Sequence, residues 1–240
     1  MRREQLAAIA ALVAIVVLAW LALLAMPAHG MAHGWSARYF GAMLVMWALM
    51  MAAMMLPSAA PMVLLHARIS GERDSPQALS ANASFVLGYV AVWALFSVGA
   101  TLLQWGLSEA ALLSPMMQAT SRTLAAGLLI AAGLYQWTPL KQSCLTRCRS
   151  PLEFVMSHWR AGRRGAFVMG TQHGAYCVGC CWVLMLLLFV GGVMNLAWIA
   201  ALAAFVLVEK LAPGGHWAGR VAGLALVAWG LFELAMPIAA

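Results

Sequence analysis

Seven apolar stretches divide this sequence, at about Leu6–Met26, Phe40–Leu65, Leu79–Leu107, Thr123–Leu140, Ala166–Val193, Leu196–Leu211 and Val221–Pro237. A helix that crosses the hydrocarbon core of a bilayer needs roughly 20 apolar residues. The segments between the stretches are short and carry most of the charge. Of the 240 residues, 65% are apolar and 9% charged. A soluble domain is about 45–50% apolar and about 25% charged, so this chain has too little charge to coat a water-soluble particle. Disordered chains are poor in apolar residues, which excludes that class as well. Strands of a membrane β-barrel alternate polar and apolar positions, whereas these stretches are apolar throughout. The sequence therefore predicts an all-α, polytopic transmembrane helical bundle of about seven spans. It forms one integral membrane domain over residues 1–240, with no room for a sizeable soluble domain. The sixth span is the shortest, and Met194 and Asn195 fall in the tight turn before it.

Charge sets the orientation. The 14 Lys and Arg exceed the 7 Asp and Glu, for a net charge of +7. In a soluble protein that excess would suggest nucleic acid; here the basic residues lie in short loops, and no nucleic-acid partner is expected. With the N-terminus inside, the cytoplasmic segments hold all the basic residues except Arg38 and Arg122. The positive-inside rule then predicts the N-terminus inside and the C-terminus outside, which requires an odd number of spans. Met1-Arg2-Arg3 before an apolar run, followed by Ala25-Met26-Pro27-Ala28, has some features of a signal peptide. Its apolar core is longer than the 7–15 residues usual for such a signal, and a retained anchor is expected.

The chemistry-bearing residues cluster in two places. Cys144 and Cys148 lie in the most hydrophilic loop, residues 141–165, spaced i, i+4 so that a helix would place both thiols on one face. Pro151–Trp159 in that loop reads as a short amphipathic helix opened by proline. The fifth span holds His173, Cys177, Cys180 and Cys181, at spacings of three and four that share a helix face. Cytosolic thiols stay reduced, so a disulfide framework is a poor account of the loop pair. Thiolate and imidazole donors suit soft transition metals: copper above all, with zinc or iron also compatible. A lone membrane cysteine is ordinarily packing. Three within five residues, one turn from a histidine at membrane depth, point to metal or redox chemistry.

The second span carries Met43, Met46, Met50 and Met54 along one stripe, with Met51 and Met55 at its edge. Thioethers favour Cu(I), although methionine also fills irregular gaps between helices. Met50 and Met54 are weaker ligand candidates on that ground. Pro57 and Pro61 are expected to break the helix near its inner end. His29 and His33 flank the outer mouth as further weak metal-ligand candidates. Glu209 beside Lys210 reads as an inner-end ion pair, and Glu233 has no evident partner.

Two signatures carry a resemblance. One is Tyr135-Gln-x-Thr138-Pro139-Leu140-Lys141-x-x-Cys144-Leu145-x-x-Cys148-Arg149-Ser150-Pro151. The other is His173-Gly-x-Tyr176-Cys177-x-Gly179-Cys180-Cys181-Trp182-x-Leu184-Met185, continuing to Gly192-x-Met194-Asn195-Leu196. Both resemble a bacterial family of predicted metal-binding integral membrane proteins whose domain carries no assigned function. Met54-Met-Leu-Pro57 and Glu209-Lys210 are similar to family positions too, so the likeness extends over about residues 40–235. It implies a multi-pass protein of the bacterial inner membrane.

The expected function is binding of a soft metal ion, copper first, by His173, Cys177, Cys180 and Cys181. Cys144 and Cys148 would pass the ion at the cytosolic face, in metal transport or homeostasis. A membrane oxidoreductase, using a bound redox metal or a dithiol, is the alternative, so the sequence leaves open whether the chain is an enzyme. A metal-free partner subunit of a membrane complex is a second alternative, and a protein partner or homo-oligomer is compatible with each. Walker A, Gly-x-Ser-x-Gly and His-Glu-x-x-His motifs are absent, which argues against P-loop pumping, a hydrolase elbow and that zinc-protease class. There is no Cys-x-x-Cys-His haem attachment site either.

Overall fold

The computed structural model describes residues 3–26, 35–73 and 77–236. The described residues are helical, with one isolated β-bridge between Leu113 and Ala119 and no strand. The helices are α1 (Arg3–Ala25), α2 (Ala37–Arg73), α3 (Ala78–Glu109), α4 (Arg122–Tyr135), α5 (Pro139–Arg149), α6 (Pro151–His158), α7 (Gly162–Leu186), the single turn α8 (Leu188–Gly191), α9 (Leu196–Leu211) and α10 (Gly215–Ala235).

Within the described residues, each of the seven apolar stretches is largely helical, but the helices differ in length. Among the described residues, five helical segments are long and apolar enough to cross a membrane: α1, α2, α3, α7 continued through α8, and α10. With 14 and 16 residues, α4 and α9 fall short of the usual span. The fourth stretch ends at Tyr135 rather than Leu140. Thr138 takes the extended backbone that a following proline imposes, and Pro139 opens α5 instead. The Thr138 side chain caps α5 by accepting from the Lys141 amide at 3.3 Å. The amphipathic segment in the hydrophilic loop is α6, with Pro151 in its first turn.

The expected break at Pro57 and Pro61 does not occur: α2 runs unbroken through both. At 37 residues it is roughly 55 Å long.

At the centre stands α7. It lies against α3 along its length and also meets α5, α4 and α9, while α1 packs on α2, α2 on α3, and α10 on α4. Glycines allow the closest approaches. Gly170 sits against the Phe85 carbonyl, Gly88 against that of Phe167, and Gly174 beside Tyr89 and Val92, so α3 and α7 run in the same direction. Small residues bring backbones together where no hydrophobic drive from water assists. Large apolar side chains instead point outward, among them Leu18 and Leu24 of α1, Leu95 of α3, and Leu224 and Phe232 of α10. On a particle in water such a surface would drive aggregation; facing lipid it has no such cost.

Candidate metal centre

Cys177, Cys180 and Cys181 are fully buried on α7, where it faces α2, α3 and α9. The Cys180 and Cys181 thiols both turn back onto the Cys177 carbonyl oxygen, at 3.1 and 3.0 Å. Cys177 itself projects into a polar ring. The Lys210 ammonium of α9 donates to its Sγ at 2.8 Å and to Ser58 Oγ at 3.2 Å. Ser58 and Tyr89 both donate to the Met55 carbonyl oxygen, at 2.8 and 3.1 Å. Tyr89 Oη lies 3.0 Å from Cys177 Sγ, which closes the ring. With its one hydrogen committed to Met55, Tyr89 is left as the acceptor toward sulfur. Four helices thus meet around one thiol. Cys181 Sγ approaches Met55 Sδ to 3.9 Å, which adds a thioether from α2.

The loop cysteines reach the same place. α5 packs on α7 and brings the Cys148 thiol beside that of Cys180. Cys144 rests over Gly179, where a Cβ would come within 2.7 Å of its sulfur. Tyr135 donates to the Gly179 carbonyl, and Arg147 donates to the Tyr176 hydroxyl while its guanidinium lies 4.7 Å from that ring. Burial pushes the Cys144 thiol up from its ordinary value. The neighbouring Cys180 thiol, and burial with it, holds Cys148 well above the usual range. Both are neutral thiols at neutral pH, so binding an ion there must release protons.

His173 is one turn away, buried among the rings of Phe154, Tyr89 and Phe85 at 5.4, 5.9 and 6.2 Å. Its Nδ1 has no hydrogen-bond partner among the described residues. Buried polar atoms are ordinarily paired, so this nitrogen is available as a donor to an incoming ion. Even so, among the described residues no three His, Cys, Asp or Glu side chains already stand in an arrangement that would hold a metal. The sulfurs are neighbours, but their lone pairs and hydrogens are engaged with carbonyls and with Lys210.

Glu209 does not pair with Lys210. Its carboxylate meets Lys141 of α5, whose ammonium lies 2.8 Å from both oxygens, with the two side chains fully buried. Arg149 also reaches back to the carbonyls of Glu209 and Ala212. These contacts dock α5, and with it Cys144 and Cys148, against α9. Glu233 accepts from Trp229 at 3.1 Å.

The methionine stripe faces inward: Met46, Met50, Met51, Met54 and Met55 are all buried. His29 and His33 lie outside the described residues. Sequence reasoning missed Tyr89, Ser58 and the direct contact of Lys210 with Cys177. Only Lys210 gave a signal, as a charge inside an apolar stretch.

A family model described as PpoB2, copper chaperone, matches residues 44–233. The chain belongs to this copper chaperone family. The match spans both cysteine signatures, α2 from residue 44 onward and Glu209-Lys210, and it assigns the chain a copper-related role. No curated protein and no solved structure matches the chain.

Proposed function

We propose that this copper chaperone family member is a multi-pass protein of the bacterial inner membrane that carries Cu(I) as cargo on the sulfurs around Cys177. The observation that carries the reading is the gathering of soft donors from three helices: Cys148 of α5, Cys177, Cys180 and Cys181 of α7, and Met55 of α2. Thiolate and thioether donors select Cu(I) over harder ions. The Lys210 ammonium stands beside Cys177 where a bound cation would lie. A Cu(I) ion would have to displace it and the thiol hydrogen bonds. A closed site of that kind suits a carrier, which must release what it binds. His173, with its free Nδ1, would complete the set. Cys144 and Cys148, on the helix nearest the cytoplasmic loops, would exchange the ion with soluble partners.

The test is elemental analysis of protein purified anaerobically without chelator, against a variant with Cys177, Cys180 and Cys181 changed to Ser. Copper near one equivalent in the parent and a loss of at least tenfold in the variant is expected. Equal copper in the two would overturn the reading, and zinc or iron in place of copper would overturn the choice of cargo.

A further inference from the structure

Gln104 is wholly buried near the far end of α3, and its amide is aimed by Trp47, whose indole N–H donates to Oε1 at 2.7 Å. That contact fixes the orientation of the amide and turns Nε2 toward two thioethers. It donates to Met117 Sδ at 3.1 Å and to Met43 Sδ at 3.5 Å. Thioether sulfur is a weak acceptor. A buried primary amide given two such partners is under-satisfied, and a purely apolar packing of Leu and Met would have avoided the cost.

Met117 is held there by strained backbone. It is one of two non-glycine residues with positive φ among those described, at 56°. A bulky side chain rarely adopts that region without a local cause. The segment that carries it is a small cap. Leu113 bridges Ala119, the Ser114 amide donates to the Gln118 carbonyl at 2.8 Å, and the Ala119 amide donates to that of Phe189 at 2.7 Å. The loop is thereby pinned to α8, just past the end of α7, and Met117 turns into the bundle, where it is 1% exposed.

We infer that Met43 and Met117, with Gln104 between them, form a second soft-ion site, a thioether site for Cu(I) about 20 Å along the bundle from Cys177. The amide nitrogen lies where an ion bridging the two sulfurs would lie. Methionine has three rotatable bonds with which to close on a smaller occupant. Met46, Met50 and Met54, all buried on the same helix as Met43, connect this site to Met55 and the thiols. The proposal rests on the copper-carrying reading and extends it from one site to two. Chemically the sites differ: thiols must lose protons to bind, whereas thioethers have none to lose.

The test uses the full chain in detergent micelles, with methyl-13C-methionine and Ag(I) as the Cu(I) probe. With all five cysteines changed to Ser, the protein is expected to retain one Ag(I), to shift the Met43 and Met117 methyl signals, and to bind equally at pH 6 and pH 8. The paired M43L and M117L changes preserve volume and should weaken that binding at least tenfold. Where the cysteine-free protein does not fold, the same methyl signals in the intact protein at saturating Ag(I) decide. If the intact protein binds silver but Met43 and Met117 do not shift, the thioether site is refuted and the thiol reading stands. If the intact protein binds neither Ag(I) nor Cu(I), both fall.

Discussion

Changing Lys141 to Met should destabilise the protein more than its position in a polar loop suggests. The ammonium is fully buried and lies 2.8 Å from each oxygen of Glu209, itself 1% exposed. Removing one member of a buried pair leaves the other charge uncompensated and costs about 3–5 kcal/mol. For a chain of this size, 1 kcal/mol moves the melting temperature by roughly 2–4 °C, so K141M should melt about 6–20 °C lower. Replacing both partners by apolar groups of similar volume removes the stranded charge, and such changes are often neutral. The double variant K141M/E209L should therefore recover most of the loss. Scanning fluorimetry in a fixed detergent, on wild type, both single variants and the double, measures the coupling directly. The consequence extends to the metal site, because this pair docks the helix that bears Cys144 and Cys148. K141M should label faster than wild type at Cys148 with a maleimide. A K141M protein that melts with wild type, or a double variant as damaged as the two singles combined, would refute the reasoning.

Other expectations follow from packing and burial. Gly170→Ala and Gly88→Ala force a methyl into the backbone of the facing helix and should each cost about 1–3 kcal/mol. Gly99→Ala meets nothing within 4 Å and should be neutral or stabilise by up to about 1 kcal/mol, read by the same melts. In the native protein a maleimide should reach Cys144 and Cys148 before Cys177, Cys180 and Cys181, which should react only after denaturation; mass mapping of the adducts checks the order. Because burial raises the Cys144 thiol, its labelling should be slow at neutral pH and should rise about tenfold per pH unit toward its raised value; a rate flat with pH would contradict this. The charge asymmetry's expectation of an outside C-terminus is tested by a reporter fused after Ala240, which should show alkaline phosphatase activity and no cytoplasmic fluorescence; the reverse would refute that orientation.

Much of the architecture was legible because helices in lipid must satisfy their own backbone, so long apolar runs announce them. Each of the seven stretches is largely helical where described, and α6 appears where Pro151 opens the amphipathic segment; α5 instead forms across what reads as the end of the fourth stretch and the start of a loop. Length was less legible. Thr123–Leu140 reads as one run by hydropathy, but Pro139 ends α4 through its effect on the preceding backbone. Pro57 and Pro61 misled in the opposite sense, since α2 continues through both, as buried membrane-type helices tolerate. At the candidate site, the face shared by His173, Cys177, Cys180 and Cys181 follows from helical geometry alone. That Cys148 meets Cys180 while His173 retreats among aromatic rings does not.

Local periodicity and the cost of exposing apolar groups or backbone act along the chain, so the sequence alone determined most of the helices and the clustering of soft donors on one face of α7. Pairings between distant residues depend on how the helices cross and on which glycines let them approach. Adjacent Glu209 and Lys210 show the difference. Successive positions on a helix point about 100° apart, so the acid finds Lys141 and the lysine finds Cys177. Only the tertiary structure could decide which partner each would meet.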